Sequence, residues 1–128
     1  MMVNGKVEYN CSGLKRLIDG YEAVSFDIFD TLVMRKVYFN HDVFLLVAEK
    51  YAEKVPDYFN VRIKAEHELS ETRYPYIEEI YDYVARECNV SNELKTEIMN
   101  AELDLERSVI IARETVVDIF NYCKTIGK

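Results

Sequence analysis

One continuous apolar, β-prone run, "EAVSFDIF" at residues 22–29, stands in a chain whose other apolar residues recur mostly at helical spacing. The run predicts a buried strand over residues 22–27. A single strand leaves its ladder N–H and C=O groups without partners, so it cannot make a sheet alone. It must therefore belong to a larger α/β arrangement. Two aspartates and a threonine, Asp27, Asp30 and Thr31, lie where this strand would end. A carboxylate there sits in a loop, with its direction set by the backbone rather than by packing, and α/β folds keep their chemistry in such places. The competing reading is that Asp27 and Asp30 only cap and turn the chain.

Around this run the pattern is helical. "CSGLKRLIDGYE" predicts a short helix with Leu14, Leu17 and Ile18 on one face and Gly20 at its end. "LVMRKVYF" is β-branched and aromatic with partial alternation, an extended or hairpin-forming piece. From Asn40 onward, Val43, Phe44, Val47 and Tyr51 fall at helical spacing, with Asn40 or Asp42 available to satisfy orphan amides. Pro56 and Pro75 mark helix boundaries, since proline is tolerated in a first turn. Ile77, Ile80, Tyr81 and Val84 then form one apolar stripe, and Leu94, Ile98, Met99 and Leu105 another that opens at Ser91. A last helix, "TVVDIFNYCKTI", ends at Gly127, and "TIGK" normally hands over to a further strand. The expected organisation is an α/β fold that is mostly helical as the chain stands. Residues 1–39 begin a core, 40–108 form a helical insertion, and 109–128 return to the core, as the front part of a larger protein.

The 128 residues carry a net charge of −7, with lysines and arginines interleaved among glutamates, so a nucleic-acid partner is disfavoured. Cys11, Cys88 and Cys123 are odd in number, widely spaced and without a CxxC pattern, which points to reduced thiols rather than a disulfide framework or thiolate zinc site. The opening "MMVNGKVEYN" has no apolar core of signal-peptide length, and no apolar stretch approaches the roughly 20 residues of a spanning helix. The expectation is a cytoplasmic protein with no membrane partner.

The words "VSFDIFDTLV" resemble the first motif of the haloacid dehalogenase-like (HAD) hydrolases, an apolar strand followed by D-x-x-x-T-L. The resemblance is strong over residues 22–47 and loose over the helices. It implies a Rossmann-like core in which Asp27 is a nucleophile forming a covalent aspartyl intermediate, usually with phosphate. It implies that Thr31 orients the loop, and that residues 40–108 are the helical cap inserted after this motif. It also implies Mg²⁺ held by the Asp27 carboxylate and the carbonyl of Phe29, screening the repulsion between carboxylate and phosphoryl oxygen. The longer wording, continuing into "DVF" and "AE", looks like a bacterial subgroup of predicted hydrolases associated with polysaccharide biosynthesis.

Two departures from the family pattern stand out. Family phosphatases carry a second Asp two residues after the nucleophile as acid and base. This chain has Phe29 there and Asp30 one step further, where Gly is usual. Asp30 takes the acid/base role from a shifted loop, or it is a turn residue and the reaction either does without that group, as in dehalogenating and phosphonate-cleaving members, or is lost. The family's later Ser or Thr, its Lys and its acidic metal-binding pair would all lie beyond Lys128.

Elsewhere the bland readings prevail. His41 and His67 read as surface or cap residues, Arg35 and Lys36 as ordinary surface charge or as contacts to an anionic substrate. "AEHELSETR" reads as a solvated helix face with i,i+4 charge pairs. Tyr81 fits a core stripe, while Tyr74, Tyr76 and Tyr83 are open between core and a sugar-stacking surface. Two function classes follow. One is the nucleophile loop and cap of a hydrolase acting on a phosphorylated or other anionic small metabolite, inactive by itself. The other is a noncatalytic interaction or specificity module with a degenerate motif. Exposed core surface on the run at 22–29 and the last helix is expected to lead to self-association of the chain as it stands.

Overall fold

The helical periodicity that sets in after Phe39 is realised as four helices, and the strand-like run before it is not realised as a strand. The computed structural model describes residues 2–3, 6–7 and 11–128. Its elements in chain order are β1 (Met2–Val3), β2 (Lys6–Val7), α1 (Cys11–Asp19), β3 (Val33–Arg35), α2 (Asp42–Lys50), α3 (Tyr58–Leu69), α4 (Ile77–Cys88), α5 (Asn92–Val109), β4 (Ile110–Ala112) and α6 (Glu114–Thr125). The described chain is mixed α/β with helices dominant. β1 pairs antiparallel with β2, and β3 with β4 in the register Val33–Ala112, Met34–Ile111 and Arg35–Ile110. No described helix is long and apolar enough to cross a membrane.

The chain divides into two units, a helical one of Val37–Val109 and a split one of Met1–Lys36 with Ile110–Lys128. In the helical unit α2 packs on α3 and α5, and α4 packs on the same two, which closes a ring of four helices. The stripes account for this: Val43, Phe44, Val47 and Tyr51 from α2 and its end meet Ile80, Tyr81 and Val84 from α4 and Ile98 from α5 in one core. Local signals set the ends. Pro56, which has no N–H to donate, separates α2 from α3. Asn89 closes α4 in the left-handed region at φ 53°, a conformation asparagine tolerates. Ser91 Oγ accepts the Leu94 N–H at 3.2 Å and caps α5. The Glu79 carboxylate accepts the Tyr76 N–H at 2.7 Å while paired with Arg73. Of the open tyrosines, Tyr83 is core, whereas Tyr74 and Tyr76 are exposed.

Two charged residues lie inside this core. Arg62 and Glu102 are each only 4% exposed. They form a bidentate pair, with Arg62 Nε to Glu102 Oε2 at 2.9 Å and Nη2 to Oε1 at 2.8 Å. Tyr58 and Tyr81, themselves 2.8 Å apart through their hydroxyls, both donate to Glu102 Oε2. The remaining guanidinium nitrogen reaches Glu66 at 3.0 Å, and the guanidinium lies over the Phe44 ring. Burial lowers the Arg62 pKa, but the hydrogen bonds and charge of Glu102 more than reverse this and leave it raised. Burial, followed by the charge of Glu102, raises the pKa of Tyr58; in Tyr81, burial and the Tyr58 and Glu102 neighbours act together in the same direction. Both tyrosines are thereby kept as protonated donors.

In the split unit α1 packs on α6 around Ile18, Ile119 and Cys123. The Lys128 ammonium donates to the carbonyls of Ile18 and Asp19 at 2.9 and 2.8 Å, placing a cation at the carboxyl end of α1, where orphan carbonyls need one. The expected buried strand over 22–27 is corrected here. Those residues are irregular and only half-buried at best, with Val24 and Phe26 turned to the Ile18 cluster and Ser25 and Asp27 exposed. Among the described residues no strand pairs with them, and without a ladder partner a β-prone run has no strand to join. The expected extended piece at 32–39 is a strand only at β3. Its partner is not a local hairpin neighbour but β4, which lies where helix was expected to run into the return segment.

Candidate functional site

Asp27, Phe29, Asp30 and Thr31 come together on one tight loop that follows the half-buried run. The Ile28 carbonyl accepts the N–H groups of both Leu32 and Val33 at 3.0 Å, and Phe29 and Val33 form an isolated parallel bridge. The chain turns at Asp30, whose φ of 60° is left-handed. Aspartate tolerates that region better than most residues, and glycine tolerates it without a Cβ penalty. The position where the resembled motif has Gly is thus the one that needs it, and this gives Asp30 a backbone reason to be a turn residue. Replacing Asp30 with Gly is expected to raise stability by about 0.5 kcal/mol and Asp30→Val to lower it by about 1–2 kcal/mol. Urea denaturation checks both, and a Gly variant less stable than the Val variant would contradict the strained turn.

Asp27 is exposed at the lip of the loop. Its Oδ1 accepts the Ile28 N–H at 2.9 Å, which fixes the carboxylate through one oxygen. Phe29 is 42% exposed, with the Arg35 guanidinium over its ring at 4.1 Å. Arg35 therefore lies against this loop. Thr31 is half-buried on the wall of a cavity of about 270 Å³, bordered also by Leu14, Phe26, Thr115 and Ile119.

One residue not singled out in the sequence holds this loop. Arg113 follows β4, and its backbone N–H donates to the Leu32 carbonyl at 2.8 Å while its Nη1 donates to the Asp30 carbonyl. It also borders the cavity beside Thr31. The signal that could have found it is the β-branched run in "VIIAR": a short strand there brings the next residue alongside the partner strand's entry.

The donor set for Mg²⁺ can be judged on the same loop. Asp27 offers one carboxylate and Phe29 one carbonyl, and among the described residues no three His, Cys, Asp or Glu side chains converge. Mg²⁺ takes six oxygens in near-ideal octahedral geometry, of which water supplies only part. The donors on this loop fall short of a site by themselves. No protein-family model matches the chain, and no curated protein or solved structure matches it.

Proposed function

We propose that residues 22–35 are the nucleophile loop of a cytoplasmic HAD-like hydrolase with a Rossmann-like core, acting on a phosphorylated or other anionic small metabolite, and that the helical unit is its cap. In this reading an oxygen of Asp27 bonds to phosphorus as the ester P–O bond breaks. The leaving alkoxide takes a proton from Asp30 or solvent, and water then cleaves the acyl phosphate. Were Mg²⁺ bound here, the Asp27 carboxylate and the Phe29 carbonyl would be among its ligands, and the ion would screen the repulsion between Asp27 and a phosphoryl oxygen. The observation that supports the reading most is the exposed Asp27, held through one oxygen, immediately before a left-handed turn. A carboxylate attacks in line only when its direction is fixed.

With so few metal ligands, the 128-residue chain is expected to hydrolyse para-nitrophenyl phosphate with Mg²⁺ at trace rates only, and Asp27→Asn is expected to remove that trace. Vigorous turnover that survives Asp27→Asn would sink the reading. The runner-up, a noncatalytic interaction module, is favoured by one observation. Leu17, Tyr21, Ile28 and Phe29 of the split unit leave large apolar side chains exposed, at 59%, 59%, 58% and 42%. Apolar surface of this kind promotes association. Light scattering is expected to show concentration-dependent self-association, and a strictly monomeric species at high concentration would remove the support for that module.

A further inference from the structure

The loop that carries Asp27 has no helix or long strand of its own to keep its shape. Its internal backbone–backbone hydrogen bonds converge on a single carbonyl, that of Ile28. Its turn at Asp30 sits in the left-handed region, which costs free energy and relaxes unless surrounding contacts hold it. Two loop carbonyls, those of Asp30 and Leu32, are reached from outside, and both are reached by Arg113, 83 residues away in sequence from Asp30. The two contacts differ in kind. The backbone N–H to Leu32 continues the β3–β4 pairing and would survive any side-chain change, whereas the guanidinium bond to the Asp30 carbonyl depends on the side chain. That bond is charge-assisted, the stronger class of hydrogen bond, and it lands on the strained residue.

We propose that Arg113 is a positioning residue for Asp27: its guanidinium pins the Asp30 carbonyl, holds the left-handed turn, and so fixes where the Asp27 carboxylate stands. The consequence for catalysis rests on reading Asp27 as the nucleophile, but the consequence for the loop does not. A lysine at this position can donate to one carbonyl and keeps the charge, although it lacks the planar fork. Glutamine keeps an uncharged donor on a side chain two bonds shorter. Alanine keeps only the backbone bond to Leu32.

The test is amide NMR on the full chain and its Arg113→Ala, Arg113→Gln and Arg113→Lys variants. The Ile28 amide reports on Asp27, because Asp27 Oδ1 accepts it. The Leu32 and Val33 amides report on the turn, and the Ile119 and Ile98 amides report whether each unit is still folded. In Arg113→Ala the Ile28 resonance is expected to move upfield as its carboxylate partner is lost. Leu32 and Val33 are expected to exchange about tenfold faster, the loss of one charge-assisted bond, with Ile98 and Ile119 unchanged. Arg113→Lys is expected to restore the Ile28 position in large part and Arg113→Gln to fall between. An Ile28 resonance that stays in place in Arg113→Ala, or a Lys variant indistinguishable from Ala, would overturn the proposal. Should Ile119 also lose protection in the Ala variant, the Lys and Gln variants decide by the same resonance. Because no reaction is measured, this result stands apart from that of Asp27→Asn in the hydrolysis assay.

Discussion

Replacing Glu102 with Ala is expected to destabilise the helical unit by about 3 kcal/mol, because it strips a buried guanidinium of its bidentate partner. A unit of this size has a total stability of roughly 4–10 kcal/mol, so this one change removes a large share of it. The cost falls at the low end for broken buried pairs because Glu66, 3.0 Å from Arg62 and itself part-exposed, still offers the guanidinium a counter-charge. The tyrosines lose their acceptor but keep each other through the 2.8 Å hydroxyl contact. Replacing both charges together, as Arg62→Met with Glu102→Leu, is expected to cost far less than Glu102→Ala alone, because the penalty arises from the orphaned charge rather than from loss of the pair. Urea denaturation followed by circular dichroism measures both. Equal costs for the single and double variants would mean that packing, not the ion pair, dominates at these positions.

This network also marks where the sequence ceases to be readable. Glu102 lies four residues after Ile98 and three before Leu105, on the apolar stripe of α5, and Arg62 falls between Tyr58 and Ala65 on the buried side of α3. Each is a charge at a core position, and their 40-residue separation hides that they answer one another. The helices themselves were legible because their stripes are long and repeat at the helical period, and because Pro56, Pro75 and Ser91 punctuate them. The run at 22–29 misled for the opposite reason. Continuous apolar character says that a segment seeks burial, but strand formation depends on a partner that local sequence does not name. The β3–β4 pair failed to show for the same reason, since its two three-residue halves, Val33–Arg35 and Ile110–Ala112, are far apart in sequence. At the candidate site, Asp27, Phe29, Asp30 and Thr31 were legible because they are consecutive or nearly so. The hold of Arg113 on them was not, because it depends on that long-range pairing. The left-handed turn was half visible: the motif's usual Gly, replaced here by Asp30, already pointed to a demanding backbone position.

The largest expected effect on chemistry is at Asp27. Asp27→Asn keeps the shape of the side chain, and its amide oxygen can still accept the Ile28 N–H, but it removes the nucleophilic charge. Covalent capture of a phosphoryl group is therefore expected to be abolished, whereas Asp30→Asn is expected to leave capture from acetyl phosphate intact, because acetate leaves without needing a proton. The decisive measurement is to expose the chain to acetyl phosphate with Mg²⁺, reduce the resulting acyl phosphate with borohydride, and map the reduced residue by peptide mass spectrometry. In that step an Asp27 oxygen bonds to phosphorus as acetate leaves, and reduction converts the aspartyl phosphate to homoserine. A substoichiometric homoserine at position 27, absent in Asp27→Asn, is the result predicted here. Homoserine at position 30 or at any other aspartate, or labelling that persists in Asp27→Asn, would contradict it.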